Sequence, residues 1–250
     1  MAGNLHRKKL ADKPHSPCLF EWVYFARPDS FLDRVSVYKT RRRLGESMAA
    51  IWKDTGWAAD VIIPVPESAT TSAMAMAHAL GMKYREGLVK NRYIGRTFIM
   101  GSNRARKESI RLKLNTIQLE FEGKDVLLVD DSIVRGNTSR QIVDLARRAG
   151  ARKVYFASVS PPLRHPCVYG IDMSTKNEFV AKDGSPEEVA EEIGADGVVY
   201  QTLENLIAAV REGNPQIQAT CSACFSGVYP TGDVTEEQLA RIEAERLVER

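Results

Sequence analysis

The stretch Asp125–Val143, DVLLVDDSIVRGNTSRQIV, most constrains how this chain can fold. Val126–Val129 is an unbroken apolar run that ends at two adjacent aspartates, Asp130 and Asp131. A Gly/Ser/Thr loop follows, then a helical pattern over Ser139–Ala149 that stops at Gly150. A short continuous apolar run reads as a strand covered on both faces, the habit of parallel sheets. In open parallel sheets, ligands sit beyond the carboxyl ends of the strands. The two aspartates occupy such an end.

The rest of the chain repeats the alternation. Asp60–Pro66 reads as a buried strand closed by prolines, and Ser68–Leu80 as an Ala/Met-rich helix ending at Gly81. Residues 34–53 read as helix, Tyr84–Val89 and Lys153–Ser160 as strands, and Pro186–Ile193 and Leu203–Gly213 as helices around another short strand. Leu19–Phe25, LFEWVYF, is aromatic and β-branched and reads as a strand. Strands alternating with helices predict an α/β fold with a mainly parallel sheet flanked by helices. Residues 1–17 read as a linker or tail, 18–234 as one domain, and 235–250 as a terminal helix opened by a Thr235/Gln238 capping box.

Adjacent buried carboxylates repel each other, so a purely structural turn requires both to be wet. A receiver-type acidic pocket for aspartyl phosphorylation is a second reading, but such domains are shorter and place their acidic pair near the chain start. The third reading is a phosphosugar site. Two carboxylates attract Mg²⁺ and accept hydrogen bonds from a vicinal diol. The following Ser132-Ile-Val-Arg135-Gly136-Asn137-Thr138-Ser139 supplies hydroxyls, backbone N–H groups and a helix N-terminus for a phosphate. No Gly-Lys-Ser/Thr is present in this loop, so it is not a Walker A loop.

Charge is unevenly placed. The chain carries a formal +3, yet Met82–Lys113 alone carries +8, leaving the remainder at −5. One basic excursion in an otherwise acidic chain points to a local anion partner rather than a nucleic-acid surface. No apolar run approaches the ~20 residues that span a bilayer, and the N-terminus lacks the apolar core of a secretory signal. These features predict a cytoplasmic protein without a membrane or nucleic-acid partner. The four cysteines are Cys18, Cys167, Cys221 and Cys224. Scattered cysteines are often buried small hydrophobes, while the Cys221-Ser-Ala-Cys224 spacing raises a metal or redox site. His6, His15, His78 and His165 carry no comparable signal.

VLLVDDSIVRGNTS resembles the PRPP-binding signature of the type I phosphoribosyltransferases. CLFEWVYFARPDS, PVPES, GLVKNRYIGRTFI and HPCVYGIDM, in order with it, resemble the glutamine phosphoribosylpyrophosphate amidotransferase family. The blocks run from Cys18 to about Tyr229, nearly the whole chain.

That resemblance implies the type I phosphoribosyltransferase fold with a long flexible flag loop, and formation of phosphoribosylamine and pyrophosphate from PRPP and ammonia in purine synthesis. It places Asp130 and Asp131 on the ribose hydroxyls and Mg²⁺, with Ser68 completing the metal site. It places Ser132, Arg135, Gly136, Asn137, Thr138 and Ser139 around the 5-phosphate. Lys90, Arg92 and Arg96, on the flag, would stabilise the leaving pyrophosphate. It implies a [4Fe–4S] cluster on Cys18, Cys167, Cys221 and Cys224; a cluster-free branch of the family and a Cys₄ zinc site remain alternatives. It further implies a homo-oligomer with purine-nucleotide feedback. Family members begin with a glutaminase domain, and no such segment precedes Cys18 here, so a separate glutaminase subunit or free ammonia is expected as the nitrogen source. A PRPP-binding regulatory or inactive subunit is the alternative without turnover.

Overall fold

The computed structural model describes residues 6, 8, 14–90, 114–171 and 176–248. A helical segment, Glu21–Phe25, leads into β1 (Phe31–Leu32), β2 (Val35–Ser36), α1 (Val37–Asp54), β3 (Val61–Pro64), α2 (Thr70–Leu80), β4 (Lys83–Tyr84) and β5 (Leu88–Lys90). The chain continues through β6 (Leu114–Thr116), β7 (Asp125–Asp130), α3 (Asn137–Arg148), β8 (Lys153–Ser158), α4 (Pro186–Ile193), β9 (Gly197–Tyr200), α5 (Leu203–Arg211), α6 (Ala223–Ser226) and α7 (Glu236–Val248). No helix among the described residues is long and apolar enough to cross a membrane.

The central sheet is parallel throughout, in the order β4-β3-β7-β8-β9. Its strands alternate between two cores. Leu127 and Val129 of β7 face the core built with α1, α2 and α5, whereas Val126 and Leu128 face the core built with α3 and α4. Each fully buried aliphatic side chain contributes roughly 1.5–3 kcal/mol, so a strand apolar on both faces is fixed at the centre of the sheet.

Topology decides where a ligand can enter. From β3 the chain crosses through α2 to β4 on one side; from β7 it crosses through α3 to β8 on the other. The two crossovers cover opposite faces of the sheet, with α2 in one core and α3 in the other. The carboxyl ends of β3 and β7 therefore flank a crevice where the strand order reverses. A separate antiparallel pair, β5 with β6, brings Lys90 opposite Leu114, so the two ends of the basic excursion meet at one point.

Two expectations are corrected. Leu19–Phe25 is helical, not a strand. Its aromatic and β-branched composition favours a sheet, but burial recurs on one side at Leu19, Trp22 and Val23, and the Ala26 N–H donates to the Glu21 carbonyl at 2.9 Å. Tertiary packing of a helical face outweighs local propensity. Tyr84–Val89 is not one strand but the end of β4 and the start of β5, in different sheets. Gly87 lies in the break, where a Cβ would sit 2.6 Å from Ile63 Cδ1 and 2.9 Å from Phe121 Cε2.

The expected Thr235 capping box is present. The Thr235 N–H donates to Gln238 Oε1 at 2.9 Å and the Gln238 N–H to Thr235 Oγ1 at 3.2 Å.

Candidate functional site

A cleft of about 650 Å³ opens at the carboxyl ends of β3 and β7. Its floor includes Ser68, Asp130, Asp131, Ser132, Arg135, Gly136, Thr138 and Ser139, with Lys90 at its edge. Asp130 ends β7, and Asp131 follows it. Each is 7% exposed. The backbone around them is anchored to the next strand, with the Val159 N–H donating to the Asp130 carbonyl at 2.9 Å and the Ser160 N–H to that of Asp131 at 2.8 Å.

The two carboxylates have different surroundings. Asp130 Oδ1 accepts the Asp131 N–H at 2.8 Å. Asp131 accepts the Ser132 hydroxyl at 2.6 Å and the Ser68 hydroxyl at its other oxygen. Burial, then the charge of Asp131, pushes the Asp130 carboxyl well above the usual carboxylate range. Burial also raises Asp131, opposed by the hydroxyls of Ser132 and Ser68 and by the Arg41 charge. Two like charges in one dry pocket favour a proton or a cation between them. Mg²⁺ is held by one or two carboxylates plus ligand oxygens. The donor set of Asp130, Asp131 and the Ser68 hydroxyl fits that requirement.

The loop after the aspartates is built around Gly136, at φ +72°, where a Cβ would stand 3.1 Å from Val180 Cγ2. Gly136 occupies the N-cap of α3 and offers no side-chain cap. The first N–H groups of α3 are thereby left for an anion, with the helix dipole favouring negative charge. Val180 N–H donates to the Val134 carbonyl at 3.0 Å and fixes the loop. Arg135 Nη2 pairs with Glu178 at 3.2 Å. Ser139 is buried and Asn137 exposed; the Asn137 side chain is not part of the cleft lining.

Of the three cations expected at the leaving group, Lys90 lies among the described residues and lines the cleft. Arg92 and Arg96 lie outside the described residues. The opposite wall is apolar: Phe20, Tyr24, Phe25, Val65 and Ile171 line it. Burial, then the charges of Asp131 and Asp130, raises the Tyr24 phenol. The sequence block holding these aromatics was legible, but only the helical winding directs three of them to the same cleft. Buried Arg41 carried no usable signal, being one of three successive arginines.

The four cysteines come from three segments and are all free thiols. Cys18 and Cys221 pair in a parallel bridge, with the Leu19 N–H donating to the Cys221 carbonyl at 3.0 Å. The Arg164 and His165 N–H groups donate to the Cys224 carbonyl at 3.0 and 3.1 Å, holding the chain just ahead of Cys167. Burial pushes the Cys18 thiol up to about 11, against the backbone N–H groups of Glu21 and Phe20. Burial also raises Cys224, and the Cys18, Cys167 and Cys221 thiolates raise it further. Among the described residues, no three His, Cys, Asp or Glu side chains are arranged around a single metal ion.

Comparison with known proteins adds to this geometry. The phosphoribosyl transferase domain family matches residues 37–167. An amidophosphoribosyltransferase of Pasteurella multocida is 52% identical over 249 residues, covering 98% of this chain and 49% of that protein. A solved structure of glutamine phosphoribosylpyrophosphate amidotransferase from B. subtilis, complexed with ADP and GMP, superimposes with TM-score 0.77 at 41% identity, over 92% of this chain and 51% of its own. A structure described as the allosteric regulatory enzyme of purine biosynthesis gives TM-score 0.78 at 43% identity, over 91% and 49%. This chain spans about half the length of the curated relatives it matches.

Proposed function

The chain belongs to the phosphoribosyl transferase domain family, and from that premise we propose that its cleft forms 5-phosphoribosylamine and pyrophosphate from PRPP and ammonia in purine biosynthesis. The observation that carries this reading is the paired carboxylates Asp130 and Asp131 beside the uncapped N-terminus of α3. The first suits a ribose diol, the second a 5-phosphate.

The ammonia lone pair forms the new bond to C1 of the ribose. The bond from C1 to the pyrophosphate oxygen breaks, its electrons leave with pyrophosphate, and the ammonium first formed at C1 gives up one proton to water. Asp130 and Asp131 orient the ribose hydroxyls and, with Ser68, would hold Mg²⁺, which when bound supplies positive charge against the leaving group. Lys90 adds a cation at the cleft edge, and Arg92 and Arg96 are assigned the same role. Ser132, Arg135, Gly136, Asn137, Thr138 and Ser139 form the phosphate cradle. Neutral ammonia needs no strong general base, while water is a competing nucleophile, so the site must be shielded before reaction.

A [4Fe–4S] cluster on Cys18, Cys167, Cys221 and Cys224 is part of the proposal. Four thiolates are the required donor set, and the Cys18–Cys221 bridge together with the backbone bonds from Arg164 and His165 to the Cys224 carbonyl supports the convergence of the three segments. A cluster of several irons needs more widely spaced thiols than a lone zinc ion. Homo-oligomerisation, purine-nucleotide inhibition at the same cleft, cytoplasmic location and a glutaminase partner as ammonia source belong to the same reading.

The test is pyrophosphate release from PRPP and Mg²⁺ by anaerobically purified protein, with NH₄Cl and then with glutamine. Release with ammonia supports the reading. PRPP binding without release under either condition overturns turnover and favours a regulatory subunit. Iron and acid-labile sulfide analysis of wild type against Cys221→Ser tests the cluster without reference to activity.

A further inference from the structure

Arg41 is buried, 4% exposed, and lies on α1; it is not part of the cleft lining, though its charge acts on Asp131. Its Nε donates to the Trp22 carbonyl at 2.9 Å, and its Nη2 donates to the carbonyls of Tyr24 at 3.1 Å and Ala26 at 2.9 Å. These acceptors end the helical segment Glu21–Phe25. Carbonyls at a helix C-terminus have no partner within the helix, and here one guanidinium fork takes three.

The same segment carries the apolar wall of the cleft. Phe20, Tyr24 and Phe25 face the floor that holds Asp130 and Asp131. Tyr24 and Phe25 are 47% and 48% exposed, and their one described ring contact with the core is to Phe20, at 5.9 and 5.7 Å. They contact each other edge-on at 5.0 Å, and their position follows the backbone turn beneath them. The segment begins at the Cys18–Cys221 bridge and ends at the Arg41 fork. Arg41 is in turn tied to α2, where Ser72 Oγ donates to the Arg41 carbonyl at 2.9 Å.

We infer that Arg41 is a positioning residue: by gathering the Trp22, Tyr24 and Ala26 carbonyls it sets the aromatic wall that shields the reacting sugar from water. The consequence for chemistry rests on the reading that this cleft transfers a phosphoribosyl group to ammonia. PRPP itself is gripped by the floor, which Arg41 does not touch by hydrogen bond. Arg41 therefore governs which nucleophile reaches C1 more than how tightly PRPP is held.

The experiment uses Arg41→Lys, which keeps the charge but replaces the fork by one ammonium, and Arg41→Met, which removes both. Pyrophosphate release is measured with and without NH₄Cl. Both variants should raise the ammonia-independent share of release about tenfold, the scale of a sub-ångström to ångström misplacement. The KM for PRPP should stay within about twofold. Tyr24→Ala should give the same shift, and Arg41→Lys combined with Tyr24→Ala should add little to either alone. A wild-type share in Arg41→Lys, or a PRPP KM that climbs with the hydrolytic share, would overturn the inference in favour of a role through charge on Asp131. Amide hydrogen exchange serves as a readout independent of turnover. Amides 22–26 should exchange about tenfold faster in Arg41→Lys while those of α3 do not change. Unchanged exchange at 22–26 would overturn the inference. Absence of release by wild type would overturn the transfer reading instead, and exchange would still decide the role of Arg41.

Discussion

Replacing Asp130 by Asn should stabilise the fold while abolishing turnover. Asp130 is 7% exposed, and its one described acceptor contact is to the Asp131 N–H at 2.8 Å. An amide oxygen can keep that bond, so the substitution removes charge and little else. Burial and the Asp131 charge place the folded-state pKa above the unfolded one, which lies near ~3.9. As pH rises from ~4, the unfolded chain releases this proton first. The folded chain then binds more protons, so stability falls with rising pH until the folded carboxyl has also ionised, and levels off beyond. Asn avoids that loss. Each unit of elevation corresponds to about 1.4 kcal/mol, and relief of such active-site strain typically gives about 1–2 kcal/mol. Each kcal/mol should raise Tm by ~2–4 °C in a chain of this size. Denaturation of both proteins in EDTA from pH 4.5 to 8 is the assay. The difference should be near zero at the acidic end and grow with pH. Mg²⁺ with PRPP should stabilise wild type by mass action and the variant much less. A variant less stable than wild type at pH 7.5, or a difference that does not change with pH, would refute the reasoning.

Ser68→Ala removes a hydroxyl that holds Asp131; Mg²⁺-dependent pyrophosphate release should fall about 10–100-fold, with Tm nearly unchanged. Gly136→Ala places a side chain at φ +72° and 3.1 Å from Val180; calorimetry should show a loss of about 1–2 kcal/mol, and PRPP binding should weaken as the α3 N-terminus shifts. Gly45→Ala would drive a Cβ into the Ser72 carbonyl where α1 crosses α2; chemical denaturation should show at least about 1–3 kcal/mol lost.

The sequence by itself determined the central strand, because a run apolar on both faces has no other stable place than the middle of a covered sheet. It determined the loop after the two aspartates, because Gly136 supplies the left-handed backbone that the turn into α3 demands. It also determined the boundaries of most helices, whose caps at Gly81 and Thr235 are local chemistry. What only the tertiary structure decided lies between segments distant in sequence. Leu19–Phe25 has strand-forming residues but winds as a helix, since its buried face and the carbonyls taken by Arg41 stabilise that state. Nothing in a triplet of arginines distinguishes the buried Arg41 from exposed Arg42 or half-buried Arg43. Ser68 meets Asp131 across 63 residues of chain because opposite crossovers from β3 and β7 open the sheet there. Convergence of that kind is set by packing over the whole sheet, which no local pattern encodes.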